Sequence, residues 1–274
     1  MKTSILSVLF SRFSIEHAFG AAAAAGYDGI DLAGCRSHCY PYDLDIGRID
    51  HIIKLKDRYH LETPVYCLDL LGHPYNMASV EPRERADAVR LISRAIEACA
   101  DMGVPKLLIN AGHTGYATTR RENYERLYQS LEPLVKKAEE KSVILLYEPL
   151  TIMESNVVTS ADDVREVLDH FASPCLKTMM DTVTPIVNQE SYAEHFEKLG
   201  RDLLHMHFVD SNGRDQTHMP LGTGVLDLRA LRDLIVGSGY DGWLCVEVIS
   251  KGIRQPDLLA VRELRYLKDL FGLQ

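Results

Sequence analysis

Four short apolar runs in the second half of this chain constrain it most, because each closes on a side chain that can titrate or bind a metal. They are Ile144-Leu145-Leu146-Tyr147-Glu148, Thr178-Met179-Met180-Asp181, Leu203-Leu204-His205-Met206-His207 and Leu244-Cys245-Val246-Glu247. Successive end residues are 33, 26 and 40 positions apart, each close to one strand–helix unit. Apolar runs of this length bounded by turn residues predict buried strands, and the longer amphipathic stretches between them predict helices.

The same alternation runs through the whole chain. Strands are expected near 4–9, 28–33, 63–68, 105–110, 143–148, 176–181, 203–209 and 242–248. Helices are expected near 14–25, 47–60, 82–102, 121–141, 160–171, 189–199, 227–237 and 256–271. Eight such pairs in 274 residues average about 34 residues each, which predicts the α/β class as a single (β/α)8 TIM barrel. No Pro/Gly/Ser-rich linker divides residues 1–274, so one domain is expected. A doubly wound open sheet would carry G-x-G-x-x-G after its first strand, and this chain does not. An internal echo, Gly26-Tyr27-Asp28-Gly29 before strand two and Gly239-Tyr240-Asp241-Gly242 before strand eight, predicts a left-handed glycine ending each helix and an Asp-Gly turn into each strand. The run Ala21 to Ala25 lies in a helical pattern and predicts close helix packing.

Composition narrows the partners. With 46% hydrophobic residues the chain can bury a full core, and a net charge of −9 disfavours nucleic acid or an anionic membrane as ligand. The apolar start Ile5 to Phe10 is interrupted by Ser11-Arg12, too short for a membrane span and without a signal-peptide cleavage pattern. Cysteines at 35, 39, 67, 99, 175 and 245 complete no zinc framework, so reduced thiols of a cytoplasmic protein are expected.

In a TIM barrel, reactive groups sit at the C-terminal ends of the strands. Three inward carboxylates beside one imidazole are intolerable without a cation, and the basic residue within these runs, Lys177, lies at the far end of its strand. Glu148, Asp181, His207 and Glu247 are therefore expected to bind one divalent ion. Its oxygen-rich donor set favours Mn2+, with Mg2+, Co2+ or Ni2+ as substitutes, over structural zinc. His205 shares a face with His207 one layer deeper, as a supporting or packed residue rather than a further ligand. His113, Tyr75, Asn76 and Arg214 follow predicted strands and are candidates for substrate binding; Gly222-Thr223-Gly224 is a weak phosphate signal.

Further segments make a resemblance specific. Tyr147-Glu148-Pro149-Leu150-Thr151, Glu154-Ser155-Asn156-Val157-Val158, His205-Met206-His207-Phe208-Val209-Asp210-Ser211 and Val246-Glu247-Val248 resemble the xylose-isomerase-like sugar isomerase/epimerase family. Pro74-Tyr75-Asn76-Met77, His113-Thr114-Gly115-Tyr116 and Thr217-His218, with Pro220 and Gly222-Thr223-Gly224, are similar to its fructoselysine 3-epimerase branch. The resemblance implies that Glu148 and Glu247 are metal-bound catalytic glutamates serving opposite faces of the sugar, that Glu154 supports the substrate and the first of them, and that the enzyme assembles as a dimer or tetramer. The chemistry agrees: a hydrogen beside a carbonyl becomes removable when a cation neutralises the developing enediolate, and inversion needs a base on each face. Ketohexose 3-epimerases of the family carry a histidine three residues after the metal aspartate; here Thr184 stands there, which points away from a free ketohexose. The expected activity is 3-epimerisation of a ketose or ketose conjugate, with fructoselysine leading. The alternatives are an aldose–ketose isomerase of the same family, an abasic-site endonuclease on the same barrel, disfavoured by the acidic balance, and an inactive sugar-binding barrel, which would have lost a glutamate.

Overall fold

A computed structural model describes residues 1–68, 70, 74–249 and 254–273. In chain order its elements are β1 (Lys2–Leu6), α1 (Ile15–Ala25), β2 (Gly29–Ala33), α2 (Ile46–Tyr59), β3 (Tyr66–Cys67), α3 (Pro82–Met102), β4 (Lys106–Ile109), α4 (Arg120–Lys141), β5 (Ile144–Tyr147), α5 (Ala161–Phe171) and β6 (Leu176–Asp181). There follow α6 (Val183–Asn188), α7 (Tyr192–Leu199), β7 (Leu203–His207), β8 (Asp210–Ser211), β9 (His218–Met219), α8 (Leu228–Gly237), β10 (Trp243–Val246) and α9 (Pro256–Phe271). Eight strands close a barrel in the order β1-β10-β7-β6-β5-β4-β3-β2, and every pair in it is parallel.

Local chemistry sets where the helices begin and end. Ser14, Asp45, Ser160 and Asp227 each accept a backbone N–H at a helix start, and Thr119 with Glu122 forms a reciprocal capping box on α4. Gly26 ends α1 at φ 96°, a left-handed position that costs glycine least. The large core lies between helices and sheet; a smaller one fills the barrel, with Leu6, Ala33, Cys67, Leu108, Leu146, Met179 and Cys245 among its members. Period-two alternation of the strands separates the two.

The barrel and its α/β order match the expectation; several details differ. β1 begins earlier than 4–9 and ends at Leu6, because Ser7–Phe10 wind into a 3-10 turn that buries Leu9 and Phe10. β3 is only Tyr66–Cys67 rather than 63–68. The expected helix 189–199 starts at Tyr192, and α6, absent from the expectation, occupies Val183–Asn188 directly after β6. Gly29 is demanded by crowding rather than by a turn, since a Cβ there would meet Glu62 O and the Trp243 ring at 2.8 Å. All six cysteines are free thiols. Among the described residues, no helix is long and apolar enough to cross a membrane.

Candidate metal centre

Alternation turns the strand-end residues inward. Glu148 follows the inward Ile144 and Leu146 by the same two-residue step, Asp181 follows Met179, and Glu247 follows Cys245. Glu148 and Glu247 stand one residue beyond β5 and β10, while Asp181 and His207 end β6 and β7. In the barrel order β10-β7-β6-β5 these four strands are consecutive, so the two glutamates flank the arc with Asp181 and His207 between them.

The four side chains converge: one donor atom from each lies within 4.8 Å of the others. His207 Nδ1 is 2.5 Å from Glu247 Oε2, 3.7 Å from Glu148 Oε1 and 3.8 Å from Asp181 Oδ2. Asn110 donates through Nδ2 to Glu148 Oε2 at 3.1 Å, and the Val183 N–H donates to Asp181 Oδ1 at 2.7 Å. His218 Nε2 stands 2.7 Å from Asp181 Oδ2 and 3.5 Å from Glu247 Oε2.

Charge in this group is answered by protons. Burial, together with Glu247 and Asp181, raises the Glu148 carboxyl to about 8, although His207 and Asn110 pull the other way. Burial works against a charged imidazole, but Glu247, Glu148 and Asp181 raise His207 to about 9. The same surroundings, Asp181 foremost, raise His218 to about 10 and thereby hold Asp181 below its ordinary range. Among the described residues that line the cavity there is no Lys or Arg. Both ring nitrogens of buried His207 lack a well-aligned hydrogen bond. Three converging carboxylates around one imidazole, with no Lys or Arg among the described lining residues, fit a divalent ion of the hard, oxygen-preferring kind.

The cavity above holds about 380 Å3, the size of a small organic ligand. Glu154, Thr184 and His218 line it, as do the four converging residues. Glu154 Oε2 accepts from the Thr151 hydroxyl at 2.7 Å, and burial raises its carboxyl. Thr184 is buried and donates to Pro149 O at 3.3 Å.

Four of the residues expected at the substrate stand outside the lining. Asn76 caps its own loop by accepting from Ala78 N and donating to His113 O. Tyr75 pairs with Tyr40 through their hydroxyls at 2.9 Å. His113 Nδ1 accepts from Gly115 N, and its ring packs on Tyr116. Arg214 is exposed. All four follow strands, and three of them make these contacts between and within the loops instead. Gly222-Thr223-Gly224 is likewise structural: buried Asp210 accepts from Gly224 N and Leu226 N, which locks the loop.

Asn110, His218 and Asp31 were not expected as site residues. His218 reaches the centre because the β8–β9 hairpin pairs Ser211 with His218 and folds back over Asp181. Its one signal in the sequence was the Thr217-His218 pair. Asn110 continues the inward register of Leu108, and the alternation could have found it.

A family model described as xylose isomerase-like TIM barrel matches residues 19–270. Fructoselysine 3-epimerase of Shigella flexneri is 37% identical over 270 residues, covering 98% of each chain. A solved D-tagatose 3-epimerase-like protein superposes with a TM-score of 0.86 at 22% identity, over 100% of this chain and 98% of that one. D-psicose 3-epimerase, solved in the presence of D-fructose, gives a TM-score of 0.84 at 16% identity, over 99% of this chain and 100% of that one.

Proposed function

Since the chain belongs to the xylose isomerase-like TIM barrel family, we propose that it is a metal-dependent 3-epimerase of a ketose or ketose conjugate, with fructoselysine as its leading substrate. The observation that carries this reading is the convergence of Glu148, Asp181, His207 and Glu247 within 4.8 Å beneath a cavity of sugar size. The 37% identity to a fructoselysine 3-epimerase supports the substrate. Mn2+ is the proposed ion, with Mg2+, Co2+ or Ni2+ able to replace it.

When bound, the ion supplies positive charge beside the substrate's oxygens as the proton leaves carbon. Glu148 and Glu247 flank the arc, so each meets the sugar from its own side: one takes the C3 proton and the other returns one to the opposite face. Asn110 holds the Glu148 carboxylate in position through Oε2. Glu154, fixed by Thr151, is the proposed contact to a sugar hydroxyl. Thr184 leaves room at the cavity wall that a histidine would fill, which suits a substrate with an amine-linked tail. Cytoplasmic location and assembly into a dimer or tetramer belong to the same reading, and light scattering decides the assembly.

The test is to incubate Mn2+-loaded protein with fructoselysine and with free ketohexoses in D2O, following products and label by NMR. Deuterium at C3, with fructoselysine converted at the higher kcat/KM, is the expected result. Deuterium at the carbon next to an aldehyde product would make it an aldose–ketose isomerase. Much faster turnover of free ketohexoses would overturn the conjugate while leaving the epimerase.

A further inference from the structure

One layer below the candidate metal centre the barrel holds a second buried group that the proposed chemistry does not use. Asp31 on β2, His205 on β7 and Cys245 on β10 are each 0% exposed. A carboxylate oxygen of Asp31, a ring nitrogen of His205, the Cys245 thiol and a ring nitrogen of His207 lie within 4.8 Å of one another. His207 therefore belongs to both layers, its ring crossing edge-on to His205 with centroids 5.5 Å apart.

This deeper group is under-satisfied. His205 Nε2 is 2.7 Å from Asp31 Oδ2, close enough for an ion pair. Yet neither oxygen of Asp31 and neither ring nitrogen of His205 or His207 has a well-aligned hydrogen bond. A buried carboxylate left so costs free energy, and barrel interiors seldom keep one without use.

The chemistry of a metal-bound imidazole supplies the missing partner. His207 turns Nδ1 toward the three carboxylates, so Nδ1 is the nitrogen offered to an ion. Its proton then sits on Nε2, and such N–H groups are as a rule donated to a carboxylate or carbonyl. Resting on the metal reading above, we propose that Asp31, steadied by His205, accepts the Nε2–H of metal-bound His207 and so fixes that ligand's tautomer and orientation. Asp31 is a positioning residue here: it touches neither ion nor substrate.

The experiment measures Co2+ affinity by chelator competition in the wild type and in Asp31→Asn, which keeps size and removes charge. Loss of such a partner costs about 10–100-fold in metal affinity, and that drop is expected. The metal-free melting temperature, measured alongside, shows that the variant is folded under the conditions of the titration. Proton NMR of the Co2+-loaded wild type should also show one shifted, slowly exchanging ligand N–H that moves or exchanges rapidly in Asp31→Asn. Equal Co2+ affinity with an unchanged N–H signal overturns the proposal. So does a wild-type spectrum without a protected ligand N–H, which decides the matter even if the variant does not fold. A wild type that binds no Co2+ removes the metal centre itself, a different failure from a wild type that binds and a variant that binds equally well.

Discussion

The two walls of the cavity are made from the same alternating strands but close on opposite chemistry. From β5 round to β10, the inward ends are Glu148, Asp181, His207 and Glu247. From β1 to β4, the inward residues are Leu6, Ala33, Cys67 and Leu108, small or apolar and packed on one another, with Asn110 the polar residue beyond Leu108 at the border with Glu148. At the level of the cavity Glu148, Asp181 and Glu247 all lie on one arc, where a single ion could answer their charge, while Asp31 on β2 lies one layer deeper. The other arc is left free to shape whatever lies over that ion. Under the proposed function the difference assigns chemistry to one wall and fit to the other: a change on the charged wall should act on rate, and a change on the apolar wall on substrate binding.

The largest effects should follow from breaking the charged wall. Glu148→Gln and Glu247→Gln keep size and one ligand oxygen but remove the base, so epimerisation should fall by about 10²–10⁴-fold in each. Each variant should still exchange the C3 hydrogen of one epimer with D2O without converting it, and the two should prefer opposite epimers. NMR of both epimers with each variant reads this. Near-normal epimerisation by either glutamine variant, with metal bound, would dissolve the distinction between the walls.

A smaller effect should come from the apolar wall. Leu6→Ala widens the cavity on its apolar wall, and one lost apolar contact of this kind changes discrimination by about 1–3 kcal/mol. KM should rise about ten-fold while kcat and metal content stay near wild type. Steady-state kinetics with metal analysis checks it; a matching loss in kcat would mean that both walls take part in the chemistry.

The smallest effect sharpens the boundary between the walls. Asn110 stands on β4's side and donates to Glu148, which favours the ionised carboxyl. Removing it in Asn110→Ala costs a net hydrogen bond of about 1 kcal/mol, less than one pH unit. Glu148 would then hold its proton more firmly, and a proton competes with the ion for that carboxylate. Metal loading should therefore move to higher pH by a fraction of a unit, as read by Mn2+ binding across pH 6–9. A move to lower pH would contradict the assigned role.

The sequence carried the charged wall better than the apolar one. Glu148, Asp181, His207 and Glu247 each end a strand run, so alternation alone aims them inward, and the spacing of one βα unit makes their strands neighbours. Helices were legible because their caps are written locally, as with Ser14, Thr119 and Gly26. Loop contacts were less legible. Asn76 and His113 follow strands as pocket residues do, and what the sequence does not show is that Asn76 bonds to Ala78 N and His113 O and that His113 accepts from Gly115 N. His218 is far from the end of any barrel strand and reaches Asp181 through a two-residue hairpin ladder, which leaves almost no pattern. Asp31 looks like any polar residue in a strand until the closed barrel brings β2 and β7 within reach of one another across the interior.

The central claim is that the charged wall works as one metal site, and stripping the metal tests it most directly. Protein treated with chelator and freed of it should lose epimerisation, regain it as Mn2+ is added, and reach its plateau at one ion per chain. His207→Ala should reach neither the occupancy nor the rate under the same titration. Full epimerisation by rigorously metal-free protein would contradict the account.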